Sequence, residues 1–331
     1  MKKSLIALAV LAASGASFAQ SSVTVFGTFD PSFANQKTTY GNGNSVTQNL
    51  VRNNSQGTSQ VTFKGVEDLG GGLKASFLIE NDFDAGLKSD NNFSSKGGEL
   101  YTGLEGGFGA IKLGAPNTPT LTAQAASNPF GTKIGGGFGV VNSGKVRNSN
   151  TVLYATPVFS GFSAAVAYSN KTKADTNPAT AIAEVGAITD IGVNYANGPL
   201  TAGFSSYKVD TTAAAVSKTD NNAYVTYDLG VAKLGAGYFT QKQTALVDAA
   251  GYSVSATVPL NANLSLLANY GKLDSKLASN KDATIGAIGV KYTLSARTSV
   301  YARYVDQKND NAANDAAKKT TTALVGVQHN F

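Results

Sequence analysis

Cysteine and tryptophan are absent from this 331-residue sequence, and methionine and histidine occur once each. Without cysteine there is no disulfide framework, no thiol nucleophile and no Cys/His zinc site. A single histidine, His329, sits two residues from the end of the sequence. On the parity of its strand it shares a face with Val327 and Phe331, so it is expected at an outer surface. A hydrolytic triad needs a histidine beside a serine and an orienting carboxylate, and this position does not offer that. Charged residues are sparse at 15 %. Their modest basic excess, +6, is spread along the chain, which is not the footprint of a nucleic-acid binder. Long apolar runs are missing too. Glycine pairs and triplets occur without the Lys-Ser/Thr and following helix of a phosphate loop, so phosphate cradling is not expected.

The first residues, MKKSLIALAVLAASGASFAQ, form a secretory leader. Lys2 and Lys3 make a basic start, Leu5 to Ala13 an apolar stretch, and Ser17-Phe18-Ala19 a small-x-small cleavage site. The apolar stretch is far shorter than the ~20 residues of a spanning helix. The expected organisation is a leader over 1–19 and one domain over 20–331. Removing Lys2 and Lys3 would lower the net charge to +4.

What is abundant is glycine, 36 residues, and the pair tyrosine and phenylalanine, 14 and 16. Apolar residues recur at every second position in short windows along the whole domain. In ATIGAIGVKYTLS, Ile288, Val290, Tyr292 and Leu294 share one face, and Ala287, Gly289, Lys291 and Thr293 the other. GYSVSATVPL and TTALVGVQHNF alternate in the same way. Successive side chains of a strand point to opposite faces, so these are strands with one apolar and one small or polar face.

Sixteen such segments are expected, near 22–33, 58–67, 72–82, 98–106, 109–115, 148–157, 161–170, 188–197, 200–209, 221–229, 232–240, 251–259, 263–272, 283–294, 298–307 and 320–331. Short turns such as GGFG and ANGPL alternate with longer polar connections such as 170–184 and 308–319. An even number of strands, short turns at one end and long loops at the other are the pattern of an outer-membrane barrel. A soluble sandwich would alternate as well. Its minority face would not be so rich in Gly, Ser, Thr, Lys and Asn, and closure removes edges that lipid forbids. Tyr154, Tyr168, Tyr195, Tyr227, Tyr270 and Tyr292 lie at or near strand ends, as an aromatic girdle requires. The fold class expected is all-β: a 16-stranded antiparallel transmembrane β-barrel.

One segment breaks the pattern. Residues 114–148 contain no acid, three basic residues and seven glycines, without helical period or sustained alternation. Unstructured stretches this long are uncommon in compact domains unless they carry function.

Five stretches, SSVTVFGTFD, FKGVEDLGGGLKASFLIE, YTGLEGGFGAIKLG, TVLYATPVFSGF and VGVQHNF, resemble the Gram-negative trimeric porins of the beta-proteobacterial type, in order along the whole chain. The resemblance implies a homotrimer in the outer membrane, in contact with its lipids and lipopolysaccharide. It implies that Phe331 belongs to the signal read by the barrel-assembly machinery. It also implies that the segment of about 116–146 is a loop folded into the lumen, with its turn at Pro129-Phe130-Gly131, narrowing a passage for small ions and hydrophilic solutes. No cofactor, metal or catalytic residue is expected. Acidic Asp306, Asp310 and Asp315 on outer loops are candidates for divalent cations, though loop carboxylates are more often simply solvated.

The family usually sets acids on this loop against arginines on the facing wall, and the sequence departs on both sides. From 106 to 174 there is no acid, while Lys112, Lys133, Lys145, Arg147, Lys171 and Lys173 fall in that span. Gln60 and Ala115 stand where arginines are common, and Arg147 matches a third. Parity turns Gln60, Lys64, Lys74, Glu80, Glu99 and Tyr101 inward, and Lys112 is a further candidate at the constriction. The expected constriction is Lys64, Lys74, Lys133 and Arg147, with Glu80 and Glu99 as counter-charges and Lys74 close to both. Rings of Lys and Arg favour anions, so an anion-preferring diffusion channel is expected. The alternatives are a channel specific for phosphate or organic acids, and a non-conducting structural or adhesin barrel.

Overall fold

The computed structural model describes residues 22–84, 86, 97–171, 186–210, 217–243, 246–277, 282–310 and 316–331. The expected leader, most of the 170–184 connection and Asp315 lie outside the described residues.

Eighteen strand segments make one antiparallel sheet. Two pairs of them run on in the same direction and form single staves, which leaves sixteen. Strand β1 comprises Ser22–Phe29 and Pro31–Tyr40, bent at Asp30, and β2 comprises Ser45–Asn53 and Gln60–Gly70. The lower halves of the two pair through Ser22↔Val66 to Thr28↔Gln60, the upper halves through Pro31↔Asn53 to Thr39↔Ser45. The others follow in chain order: β3 Leu73–Asp82, β4 Leu100–Gly106, β5 Gly109–Ala115, β6 Thr151–Ala155, β7 Phe162–Ser169 and β8 Ile188–Asn197. Then come β9 Leu200–Val209, β10 Lys218–Asp228, β11 Lys233–Gln243, β12 Val247–Pro259, β13 Leu264–Ser275, β14 Ala283–Thr293, β15 Thr298–Asn309 and β16 Ala317–Asn330. Each pairs with its neighbours, and β16 returns to β1 through Gly326↔Ser32 and Thr28↔Asn330. The ring is closed, so no edge strand is left.

The expected boundaries hold within a few residues except in the first hairpin. There β1 extends to Tyr40 and β2 starts at Ser45, where a long connection from 34 to 57 was expected. The added residues, such as Asn35, Gln36, Lys37, Thr38, Gln48 and Asn49, are polar on both faces. They rise beyond the apolar band, so they carry no alternation to read.

The outward face is the apolar one. Val25, Phe33, Phe63, Ile79, Leu113, Val152, Val193, Phe204, Val254, Ile288, Val290 and Val325 are all exposed. A continuous belt of this kind is far beyond the few hundred Å² that a soluble monomer exposes, and lipid is the solvent it suits. Exposed Tyr154, Tyr227 and Tyr292 mark the short-turn level, and Tyr168, Tyr252, Tyr270 and Tyr304 a higher one. Tyr195 lies half-buried against the Phe162 ring, 4.5 Å between centroids. No helix among the described residues is long and apolar enough to cross a membrane; the strands cross it.

The inward face is polar, with Thr151, Ser169, Ser205, Asn222, Ser253 and Asn269 buried against the lumen contents. What buries them is the segment between β5 and β6.

Candidate functional site: a constriction inside the barrel

The segment from Pro116 to Arg147 turns into the lumen and lies along the wall formed by β8 to β15. Its first part is a short helix, α1 (Pro119–Ala126), where an irregular loop was expected. Thr118 is its N-cap, accepting from the Leu121 amide at 3.1 Å, and Pro119 occupies the first turn. The Thr-Pro pair was the readable sign. It was outweighed by a helix too short to establish a period.

Polar clasps fix α1. The Asp190 carboxylate on β8 accepts the Thr120 amide at 3.0 Å and its hydroxyl at 2.8 Å. Gln124 donates to Asn222 on β10 at 3.0 Å. The middle of the loop is held by apolar packing. Phe130 is 2 % exposed and clusters with Val141, Phe239, Leu267, Ile285, Ala287 and Val305. The Arg303 guanidinium on β15 lies 4.9 Å from the Phe130 ring centroid and donates to the Ile134 carbonyl at 2.8 Å. Pro129 and Phe130 thus lead into the turn, with Gly131 at φ +56° accepting a conformation that suits glycine. On the wall, Gly251 permits the close approach. A Cβ there would stand 2.5 Å from the Val141 carbonyl oxygen.

Beyond the turn, Lys133 reaches across to the wall and donates to the Thr58 hydroxyl in the break of β2. It lies on the loop, not on a spanning strand. Burial pushes its ammonium below the ordinary lysine range, and the fields of Asp82 and Asp30 oppose that shift. Arg147 donates to Glu80 on β3 at 3.0 Å, and its backbone pairs with Asn117 in an isolated bridge. Glu80 also accepts from Gln60 at 2.7 Å and from the Glu99 amide at 3.2 Å. Glu99 is taken by the Asn117 amide and side chain, each at 3.0 Å. The structure therefore brings Gln60, Glu80, Glu99, Lys133 and Arg147 together in one layer.

A second layer lies two to four residues nearer the short turns. Lys112 on β5 stands 4.1 Å from the ring centroid of Tyr101 on β4, and Lys64 on β2 pairs in register with Leu78, the partner of Tyr101. Among the described residues, neither Lys64 nor Lys112 has a carboxylate within ion-pair distance. Lys74 does not join either layer. It pairs in register with Asp68 and Glu105 beside the 70–73 turn, six residues from Glu80 along β3, or about 20 Å at ~3.3 Å per residue. The expected contact between Lys74 and the pair Glu80/Glu99 is corrected: all three face inward, but parity gives the face and not the height.

Asp30, Asp82, Asp190 and Arg303 complete the site and were not singled out from sequence. Asp30 is fully buried at the β1 bend, accepting the Gln56 and Gly57 amides at 2.6 and 2.9 Å and the Tyr301 hydroxyl at 2.6 Å. Strand parity in YARYVDQ turns Arg303 inward and was the available sign. Nothing local marks Asp30 or Asp190. Among the outer acids, Asp306 is held by Lys319 at 2.8 Å, and no cluster of three metal-ligating residues occurs among the described residues.

A closed barrel with a greasy exterior, a polar bore and a loop that narrows it is a diffusion channel of the outer-membrane type. The Gram-negative porin family model matches residues 5–312, and the chain belongs to that family. The outer membrane porin protein 32 of Delftia acidovorans is 32 % identical over 368 residues, covering all of both chains. An outer membrane porin of Bordetella pertussis is 28 % identical, also over the full length of both. Among solved structures, an anion-selective porin from Comamonas acidovorans superposes with a TM-score of 0.77 at 26 % identity, covering 94 % of this chain and all of that one. The OmpF porin of Salmonella typhi shares the fold, with a TM-score of 0.70 at 16 % identity. The protein is an outer-membrane porin, a water-filled channel in the bacterial outer membrane.

Proposed function

We propose that this porin passes small hydrophilic solutes by diffusion and prefers anions, with Lys64 and Lys112 carrying the preference. One observation carries this reading. The constriction carboxylates Glu80 and Glu99 are already engaged, Glu80 by Arg147 and Gln60, Glu99 by Asn117. The deep acids Asp30 and Asp190 are likewise held by backbone amides and hydroxyls. Lys64 and Lys112 face the lumen with no such partner among the described residues. Arg147 is neutralised by Glu80, and Lys133 sits in the fields of Asp82 and Asp30, so these two bias the passage less than their number indicates. In a low-dielectric wall a few unpaired charges focus the field along the bore.

Three further parts belong to this reading. The leader over 1–19 is removed on export. Three copies assemble, with the low wall of β4 to β7 facing neighbouring copies. Those strands have 7, 7, 5 and 8 residues, short of the ~9–11 that span a bilayer. Phe331, whose amide and carbonyl pair with Gly27 at 3.1 Å, is the residue read by the assembly machinery, and the remaining belt meets phospholipid and lipopolysaccharide. No enzymatic role is proposed.

The reversal potential across a planar bilayer in a potassium chloride gradient tests the selectivity. It is expected to move toward the chloride equilibrium potential. A shift toward the potassium potential would contradict the reading.

A further inference from the structure

Beneath the loop, on the side of the short turns, the bore holds a cavity of about 460 Å³. Residues 126–129 of the loop form its roof, and β10 to β16 its wall. Lys233, Lys291 and Arg303 line it, with Thr226, Ser255 and Gln328, and no acid is among its lining residues. Neither lysine has an ion-pair partner among the described residues. Asp228 faces Lys233 across the ladder, but its carboxylate accepts the Gly230 amide at 2.8 Å in its own turn.

Two lining residues carry unmatched groups. Arg303 and Thr226 are each 5 % exposed, and the Arg303 Nε and the Thr226 Oγ1 have no hydrogen-bond partner. Buried polar groups in native proteins are almost always satisfied, so exceptions call for a cause. Three cations around an acid-free space of this size are the complement of a solute with several anionic oxygens.

We propose that this cavity is a subsite for small polyvalent oxyanions, polycarboxylates or inorganic phosphate, which pause there between the constriction and the short-turn mouth. The proposal rests on the anion-preferring reading and adds to it a saturable step on a wall remote from Lys64 and Lys112. A monovalent carboxylate engages one lysine at a time and gains little. A polyvalent one engages more than one of the lining cations Lys233, Lys291 and Arg303 at once.

The test is single-channel recording with citrate, phosphate or acetate added on the short-turn side at constant ionic strength. Citrate and phosphate are expected to interrupt the current saturably, and acetate is not. The double variant Lys233→Gln with Lys291→Gln should weaken the citrate block about tenfold or more, and each single variant by part of that. Current steps in potassium chloride report that each variant has folded. Block that does not saturate, that acetate reproduces, or that survives both single variants and the double variant would overturn the subsite. A chloride preference without citrate block overturns the subsite alone. A potassium preference overturns the reading beneath it.

Discussion

Exchanging Lys64 and Lys112 together for glutamate is expected to reverse the ion preference of the channel. Each exchange changes the wall by two charge units. At ~7 Å from a permeating ion in water, one unit is worth about 0.6 kcal/mol, and at 0.1 M salt the Debye length of about 10 Å removes roughly half of it. Four units therefore amount to about 1 kcal/mol, favouring potassium and opposing chloride alike. The permeability ratio should move by an order of magnitude or more and change sign. The same exchange at Lys74, far down β3 and opposite Glu105, should move it much less. An unchanged reversal potential in the double variant would place the selectivity elsewhere.

The second large effect is expected from Phe130→Ala. Most attachments of the loop to the wall are hydrogen bonds, each worth about 0.5–1.5 kcal/mol net. Phe130 instead fills a closed apolar cluster against β11, β13, β14 and β15, and truncating a buried phenylalanine costs about 3–5 kcal/mol. The loss falls on one side of a marginal balance, because the rest of the loop between α1 and Lys133 has no comparable anchor. The loop is expected to leave the wall at its centre, raising the single-channel conductance and adding noise from its motion. The sixteen-strand ladder is untouched, so the heat-resistant mobility of the folded barrel should persist. Conductance equal to that of the unaltered protein would show that the polar clasps at Asp190 and Asn222 suffice.

These effects separate what the sequence could tell from what it could not. The barrel was readable because lipid imposes a strict rule. Ile288, Val290 and Tyr292 must be apolar and Gly289 and Lys291 need not be, so alternation survives in every spanning segment. Where the rule lapses, so does the signal. Residues 35–40 and 45–49 form strands above the lipid, with Asn and Gln on both faces, and read as a connection. The faces of Glu80, Glu99 and Tyr101 followed from parity. The height of Lys74 did not, because height depends on cross-strand register. The partners of Arg147 and Lys133 lie at separations of 67 and 75 residues, which no local pattern reaches. Asp190 and Asp30 escaped for the same reason. Each is a lone polar residue whose task is set by a loop arriving from elsewhere in the chain.

The central claim is that neighbouring residues of one strand sit in different solvents. The absence of cysteine allows a clean measurement of this. Val290→Cys and Lys291→Cys, each made singly in the full chain and reconstituted in bilayers, can be offered a water-soluble thiol reagent, then labelled and exposed to a lipid-borne quencher. Position 291 is predicted to react with the aqueous reagent and to escape the quencher, and position 290 to do the reverse. Equal behaviour at the two positions would contradict the barrel, the bore and everything derived from them.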